Sequence, residues 1–255
     1  MKVRIKFRKY GALRFIGHLD VMRYFQKILR RAEIPVAYTS GYSPHMIMSF
    51  ASPLGIGLTS DGEYFDIELK EAVSSREAVR RMNAVTVEGI DILSFRKIAE
   101  EKKWTGMAIV TAADYLAKWK CTDTMGNFVP EKQSFCEILS KQLPAFLGQS
   151  EILVLKQTKR SEKEVDIRPL IYRMEFRKDG IFMRLAAGSV QNLKPELVMA
   201  ALCRFADIPE MPDCFWWHRL ELYAAADNEA SGLTDAGHKF VILEDLGREI
   251  GEGHE

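Results

Sequence analysis

The chain has 255 residues, 28% charged and 47% hydrophobic, with a formal net charge of +1. That composition excludes a disordered polyelectrolyte, and no apolar run approaches the ~18 residues a membrane helix needs, so a cytoplasmic protein away from the membrane is expected. The near-neutral total conceals a split. Residues 1–50 carry ten cations (Lys2, Arg4, Lys6, Arg8, Lys9, Arg14, Arg23, Lys27, Arg30 and Arg31) against Asp20 and Glu33, a balance of +8, while the rest of the chain sums to −7. Charge segregated this way speaks of partners rather than of fold.

The opening stretch sets Lys2, Arg4, Lys6 and Arg8 alternately against Val3, Ile5 and Phe7. This period of two predicts a strand with one basic and one apolar face, not the continuous apolar stretch of a secretion signal. From Leu19 the period lengthens: Leu19, Met22, Phe25, Ile28, Leu29 and Ala32 follow at helical steps, with Arg23, Lys27, Arg30 and Arg31 on the other side and Pro35 as the stop. Val36–Thr39 reads as a short strand, Gly41–His45 as a loop, and Met46–Ala51 and Gly62–Leu69 as strands. Ser74-Ser75-Arg76-Glu77 is a capping box opening a helix to about Asn83, and Val87–Phe95 returns as a strand. The order β-α-β-β-α-β fits a ferredoxin-like (split βαβ) domain over residues 1–100, with the charged side of its first strand on the uncovered sheet face.

Arg96–Lys103 is a charged joint. Beyond it, Met107–Trp119 reads as a strand, Glu131–Leu143 as a helix ended by Pro144, Glu151–Thr158 as a strand and Lys159–Glu164 as a charged loop. Ile171–Arg177 and Ile181–Leu185 flank the turn Lys178-Asp179-Gly180, Pro195 opens a helix to about Phe205, and Trp216–Tyr223 closes as a strand. A second ferredoxin-like variant over 104–225 is expected, then a weakly ordered acidic tail over 226–255 with room for one docking segment, Phe240–Leu243 being its only apolar run. The predicted class is therefore α+β, with two consecutive ferredoxin-like domains and antiparallel sheets.

Cys121, Cys136, Cys203 and Cys214 show no C-x-x-C spacing and no histidine at zinc-ligand spacing, so no metal or cluster site is expected and the thiols read as buried or half-buried. Gly55-Ile56-Gly57 lacks the third glycine and the strand–helix setting of a dinucleotide fingerprint, and nothing resembles a P-loop or a nucleophile elbow. No cofactor is expected.

Several segments together resemble a bacterial family of radical-SAM-linked proteins: Lys9-Tyr10-Gly11-Ala12-Leu13-Arg14-Phe15-Ile16-Gly17-His18-Leu19-Asp20, Leu29-Arg30-Arg31-Ala32-Glu33-Ile34-Pro35-Val36, Gly41-Tyr42-Ser43-Pro44-His45, Ser52-Pro53-Leu54-Gly55-Ile56-Gly57, Glu63-Tyr64-Phe65-Asp66 and Lys163-Glu164-Val165-Asp166-Ile167-Arg168-Pro169. The likeness spans roughly residues 1–225. Gly17 stands where that family usually has Ser, which weakens any cap on the first helix. The resemblance implies a radical-SAM protein as partner. The radical chemistry would belong to that partner, since this chain lacks the C-x-x-x-C-x-x-C cluster ligands.

Three functions remain open on the residues. Arg4, Arg8, Arg14, Arg23, Lys27, Arg30 and Arg31, interspersed with Tyr10, Tyr24, Tyr38 and Tyr42, suit an RNA backbone with base stacking, most plausibly tRNA or rRNA, in a non-catalytic accessory protein. The same cations suit an adaptor that docks an acidic protein surface. A metal-independent ribonuclease would use His18 and His45 as its acid–base pair. Against these, the cations fit a solvated face paired with the acidic C-terminal half, His18 fits a helix-end or packing role, His45 either a contact to phosphate or a base edge or a turn held by its glycine and proline, and Asp166 and Arg168 either a structural turn or a partner contact.

Overall fold

The computed structural model describes residues 1–120, 130–157, 162–208, 215–226 and 232–251. Its elements run β1 (Lys2–Lys9), α1 (His18–Arg31), β2 (Met48–Phe50), β3 (Thr59–Glu68), α2 (Ser75–Asn83), β4 (Ile90–Lys97), α3 (Gly106–Ile109) and β5 (Val110–Trp119). They continue through α4 (Pro130–Leu147), β6 (Leu153–Gln157), β7 (Glu162–Asp166), β8 (Ile171–Arg177), β9 (Gly180–Ala186), α5 (Pro195–Phe205), β10 (Phe215–Ala225), β11 (Leu233–Asp235), β12 (His238–Ile242) and β13 (Arg248–Glu249). The class is α+β. Two compact units divide the chain: Met1–Ala113 with Ala187–Val190 and Arg219–Glu255, and Asp114–Ala186 with Gln191–His218.

In the first unit the strands lie in the order β13-β4-β1-β3, with β2 also on β3 and the C-terminal part of β10 beyond β3. β1 pairs antiparallel with β3 (Ile5↔Phe65) and with β4 (Ile5↔Phe95), and β2 pairs antiparallel with β3. Val3, Ile5 and Phe7 of β1 are buried with Phe65 and Ile67 of β3 and with Val21, Phe25, Ile28 and Leu29 of α1. Phe7, Phe25, Phe50 and Phe65 form the aromatic centre, Phe25 and Phe65 lying 4.6 Å apart. Phe25, Ile28, Leu29 and Ala32 are buried as expected and Met22 packs against them; the stripe differs only at the start of α1, where Val21 is inside and Leu19 is exposed. Ser74 caps α2 as expected, its hydroxyl accepting from Glu77 N–H at 3.3 Å.

The expected tail departs most from the sequence reading. Its described part supplies three strands. β12 pairs with β10, β11 pairs with β12, and β13 adds to β4 through Arg248↔Lys97. Leu243 is fully buried, and Ile250 exchanges two hydrogen bonds with Ser75, one to each backbone group. Acidic composition misled here in part because one of these carboxylates, Glu244, is an internal partner of Lys6 and Arg96.

The second unit orders its strands β10-β5-β9-β8, with β6 and β7 as a separate hairpin. The hairpin β8–β9 follows the predicted turn. The expected strand from Met107 begins only at Val110, after the short α3. Pro144 lies inside α4, not after it. It sits in the last turn, and its carbonyl accepts from Gly148 N–H at 3.0 Å. The charged segment Lys159–Glu164 falls partly outside the described residues, and its remainder belongs to β7. Arg184 and Asp114 form a buried two-point ion pair at 2.7 and 2.8 Å. Cys203 is buried and Cys136 half-buried, while Cys121 and Cys214 lie outside the described residues.

Candidate functional site

The basic face of β1 is not an open surface. Arg4 is buried, with Nε and Nη2 on the two carboxylate oxygens of Asp66 at 2.8 and 3.1 Å. It also donates to the carbonyls of Trp104 and Leu243. Lys6 Nζ lies 2.7 Å from Glu221 and 3.0 Å from Glu244. Burial works against its charge, but the two carboxylates prevail and raise its pKa. Arg8 pairs with Asp61 at 3.0 Å and Asp91 at 3.7 Å. As a binding residue Arg4 is therefore a correction: its guanidinium is wholly occupied inside the fold. Its partners lie 62 to 239 positions away in sequence, which local periodicity does not reveal.

The cations of α1 behave differently. Arg23, Lys27, Arg30 and Arg31 are all exposed, and their spacing places them along one side of the helix. Asp20 is the nearest carboxylate of the pattern, 3.8 Å from Arg23. Arg14 lies over the exposed ring of Phe15, 4.6 Å from its centroid. In the Gly41–His45 loop Tyr42 is fully exposed, and the backbones of Thr39 and His45 hold the loop together. The His45 amide donates to Thr39 Oγ1 at 3.2 Å, and its Nδ1 lies 3.1 Å from the same oxygen. His18 instead meets Phe50 edge-on at 5.0 Å. No hydrogen bond or ring contact joins His18 to His45 among the described residues. Asp166 accepts from Ile152 and Arg168 N–H groups, and Arg168 reaches the carbonyls of Leu147 and Ile171, so both build a turn.

A second locus was missed from the sequence. Phe7, Lys9, His18, Val21, Phe50, Pro53, Leu54 and Glu63 line a cavity of about 10 Å³, room for roughly one water. Lys9 shares the odd-numbered side of β1 with Val3, Ile5 and Phe7, so it is a lysine at an apolar-face position. It is 2% exposed. Burial lowers its pKa; Glu63 opposes that shift and Arg219 adds to it. Glu63 is itself buried and accepts two hydrogen bonds from Arg219 on one oxygen, Oε1. His18 stands at the same pocket because it is the first residue of the α1 stripe that continues through Val21 and Phe25. Gly17, at the helix start, offers no side-chain cap, as expected. The signal available in the sequence was the lysine that continues the Val3, Ile5, Phe7 parity.

No group of His, Cys, Asp and Glu side chains suited to a metal ion occurs among the described residues, and no described helix is long and apolar enough to cross a membrane. No curated protein matches the sequence. Residues 2–195 match the family described as uncharacterized protein conserved in bacteria (DUF2344), and with most of its length covered the chain belongs to that family.

Proposed function

We propose that this chain is a cytoplasmic accessory protein that holds an RNA, tRNA or rRNA, for a radical-SAM partner. The observation that carries the reading is the exposed row Arg23, Lys27, Arg30 and Arg31 on α1. Once the strand cations are neutralised inside the fold, this row remains as a surface able to release counterions from a phosphate backbone. Exposed Tyr42 adds a ring on which a base can stack. The radical-SAM partner rests on the family resemblance carried by the Lys9–Asp20 and Gly41–His45 segments. The ferredoxin-like reading of each unit is supported by the orders β4-β1-β3-β2 and β10-β5-β9-β8. Filter binding of tRNA and rRNA fragments across a salt series tests the function. Affinity that falls steeply with salt is expected, and affinity without a salt slope, or none at all, removes the reading.

A protein adaptor is the second reading, favoured by one observation. Phe15, in the turn before α1, and Leu19, in its first turn, are 60% and 61% exposed, an apolar element that an RNA backbone does not need. Co-purification of a partner that survives nuclease and is lost in Arg23→Glu/Lys27→Glu supports it over RNA. A ribonuclease on His18 and His45 draws no support from side chains that hold different partners.

A further inference from the structure

We propose that the pocket between the end of β4 and β13 binds a small sugar phosphate, with Lys97 and Arg248 on its phosphate group.

The register of β13 on β4 leaves charge unbalanced. It sets Glu249 opposite Arg96, a complementary pair, but Arg248 opposite Lys97. Residues directly opposite in an antiparallel pair share a face with Cβ atoms only ~5 Å apart, and like charges there oppose the pairing. Arg248 is exposed and Lys97 half-buried, and neither has a carboxylate within ion-pair distance among the described residues. The backbone nevertheless holds the two cations together. Gly247 lies so close to β4 that a Cβ on it would stand 2.8 Å from Arg96 Cβ and 3.3 Å from the Lys97 carbonyl. On the other side of Arg248, Ile250 is tied to Ser75 by two hydrogen bonds.

Lys97 and Arg248 border a pocket of about 390 Å³, within the size range of small-molecule sites. Two carboxylates also line it, and each leans on another cation: Asp245 lies 4.0 Å from Arg96, and Glu100 lies 4.0 Å from the Met1 amino group. The charge that completes the pocket is therefore an anion between Lys97 and Arg248. A phosphate monoester carries close to two negative charges at neutral pH and matches both cations, whereas a carboxylate would match one. The guanidinium takes two phosphate oxygens in a fork and the ammonium takes the third as a point charge. Glu100 and Asp245 repel a second anionic group but accept hydrogen bonds from hydroxyls, which selects a polyhydroxylated body with one phosphate end. The apolar lining comes from aliphatic side chains such as Ile98 and Leu246. No aromatic ring among the described residues lines the pocket, so a nucleobase finds nothing to stack on. None of the α1 cations lines it either, so the site stands apart from the RNA reading.

Isothermal titration of the full chain at low salt with ribose 5-phosphate, ribose and inorganic phosphate tests the proposal, and amide exchange places the bound probe. Ribose 5-phosphate is expected to bind one to one and to slow exchange across 246–249. Ribose should not bind, and inorganic phosphate should bind about tenfold more weakly because it lacks the sugar hydroxyls. Lys97→Ala should weaken the ester about tenfold. Arg248→Glu should abolish binding and, by setting opposite charges across β4 and β13, raise the melting temperature of the free chain. A loss of binding with that gain separates loss of the site from loss of the fold. Equal affinity for ribose 5-phosphate and inorganic phosphate, undiminished affinity in Arg248→Glu, protection confined to α1, or no binding of the ester overturns the proposal.

Discussion

Arg4 and Asp66 sit directly opposite each other on β1 and β3, and the guanidinium grips both oxygens of the carboxylate at 2.8 and 3.1 Å. Asp66 also accepts the Gly106 N–H at 2.7 Å, so one cross-strand pair also fixes the start of α3. A buried pair of this kind stabilises through being complete. Its Coulomb gain is set against the desolvation of both charges, and most of its apparent strength shows only when one partner is removed.

Arg4→Met should therefore leave a buried carboxylate without its cation and cost about 3–5 kcal/mol in urea unfolding. Arg4→Met/Asp66→Leu should recover part of that loss, less the ~1–3 kcal/mol of leaving the Gly106 amide unpaired. A single substitution without effect on stability would show that Arg4 is not held inside the fold. RNA affinity at a given folded fraction should not change in either variant.

The Leu243–Leu246 turn after β12 is pinned to β1 by Lys6 and Glu244, and its docking should depend on pH at both extremes. For Glu244, burial opposes ionisation, but the hydrogen bond and charge of Lys6 overcome it and its pKa is lowered. The stability linked to that shift is present above the ordinary value of 4.5 and is lost as pH falls through the lowered one. Lys6 is shifted upward, so its share is present below 10.5 and is lost as pH climbs through the raised value. Between these limits Glu244→Gln should speed amide exchange across 238–249 by about tenfold, or ~1.4 kcal/mol, the scale of one charge-assisted hydrogen bond. The substitution should have less effect in acid, where the wild-type carboxylate is already protonated.

These relationships show where the sequence was legible. The alternation of Lys2–Arg8 with Val3–Phe7 marked β1 correctly because a strand's period is local. The capping box at Ser74 held for the same reason. The fate of the strand's cations was not legible, because Asp66, Glu221 and Glu244 reach them through sheet pairing and through a C-terminal return of the chain. The basic quarter read equally as a surface for an outside partner and as a face paired with the acidic later half, and Lys6, held by Glu221 and Glu244, follows the second. Lys9 was visible as a break in the apolar parity, but only packing against α1 reveals that it lines a cavity.

Gly62 offers a separate test of how β3 meets β10. A Cβ at this position would lie 2.7 Å from Glu221 Cα and 2.8 Å from the Leu220 carbonyl, both backbone atoms that cannot swing aside. Gly62→Ala should cost about 1–3 kcal/mol through forced separation of the strands. The cost should appear as a lower melting temperature and as faster exchange along β10. Gly41→Ala provides a comparison at a loop position with open space, where the strain comes only from φ of +115°. Equal losses at exposed Gly41 and enclosed Gly62 would contradict the close approach.

The α1 row can be separated from the internal cations by salt dependence. Each phosphate contact contributes about one unit to the slope of log affinity against log salt, so a cation that touches the backbone reveals itself when removed. Arg30→Ala and Lys27→Ala should each lower that slope by about one and weaken all RNAs alike, because phosphate contacts carry no sequence information. Both side chains are exposed, so the fold should be unaffected. Arg8→Ala, whose charge is already shared with Asp61 and Asp91, should leave the slope unchanged. Tyr42→Ala should reduce affinity by about 1–3 kcal/mol without altering the slope, since stacking releases no counterions. A slope that responds to Arg8 but not to Lys27 or Arg30 would move the RNA path from α1 to the edge of β1.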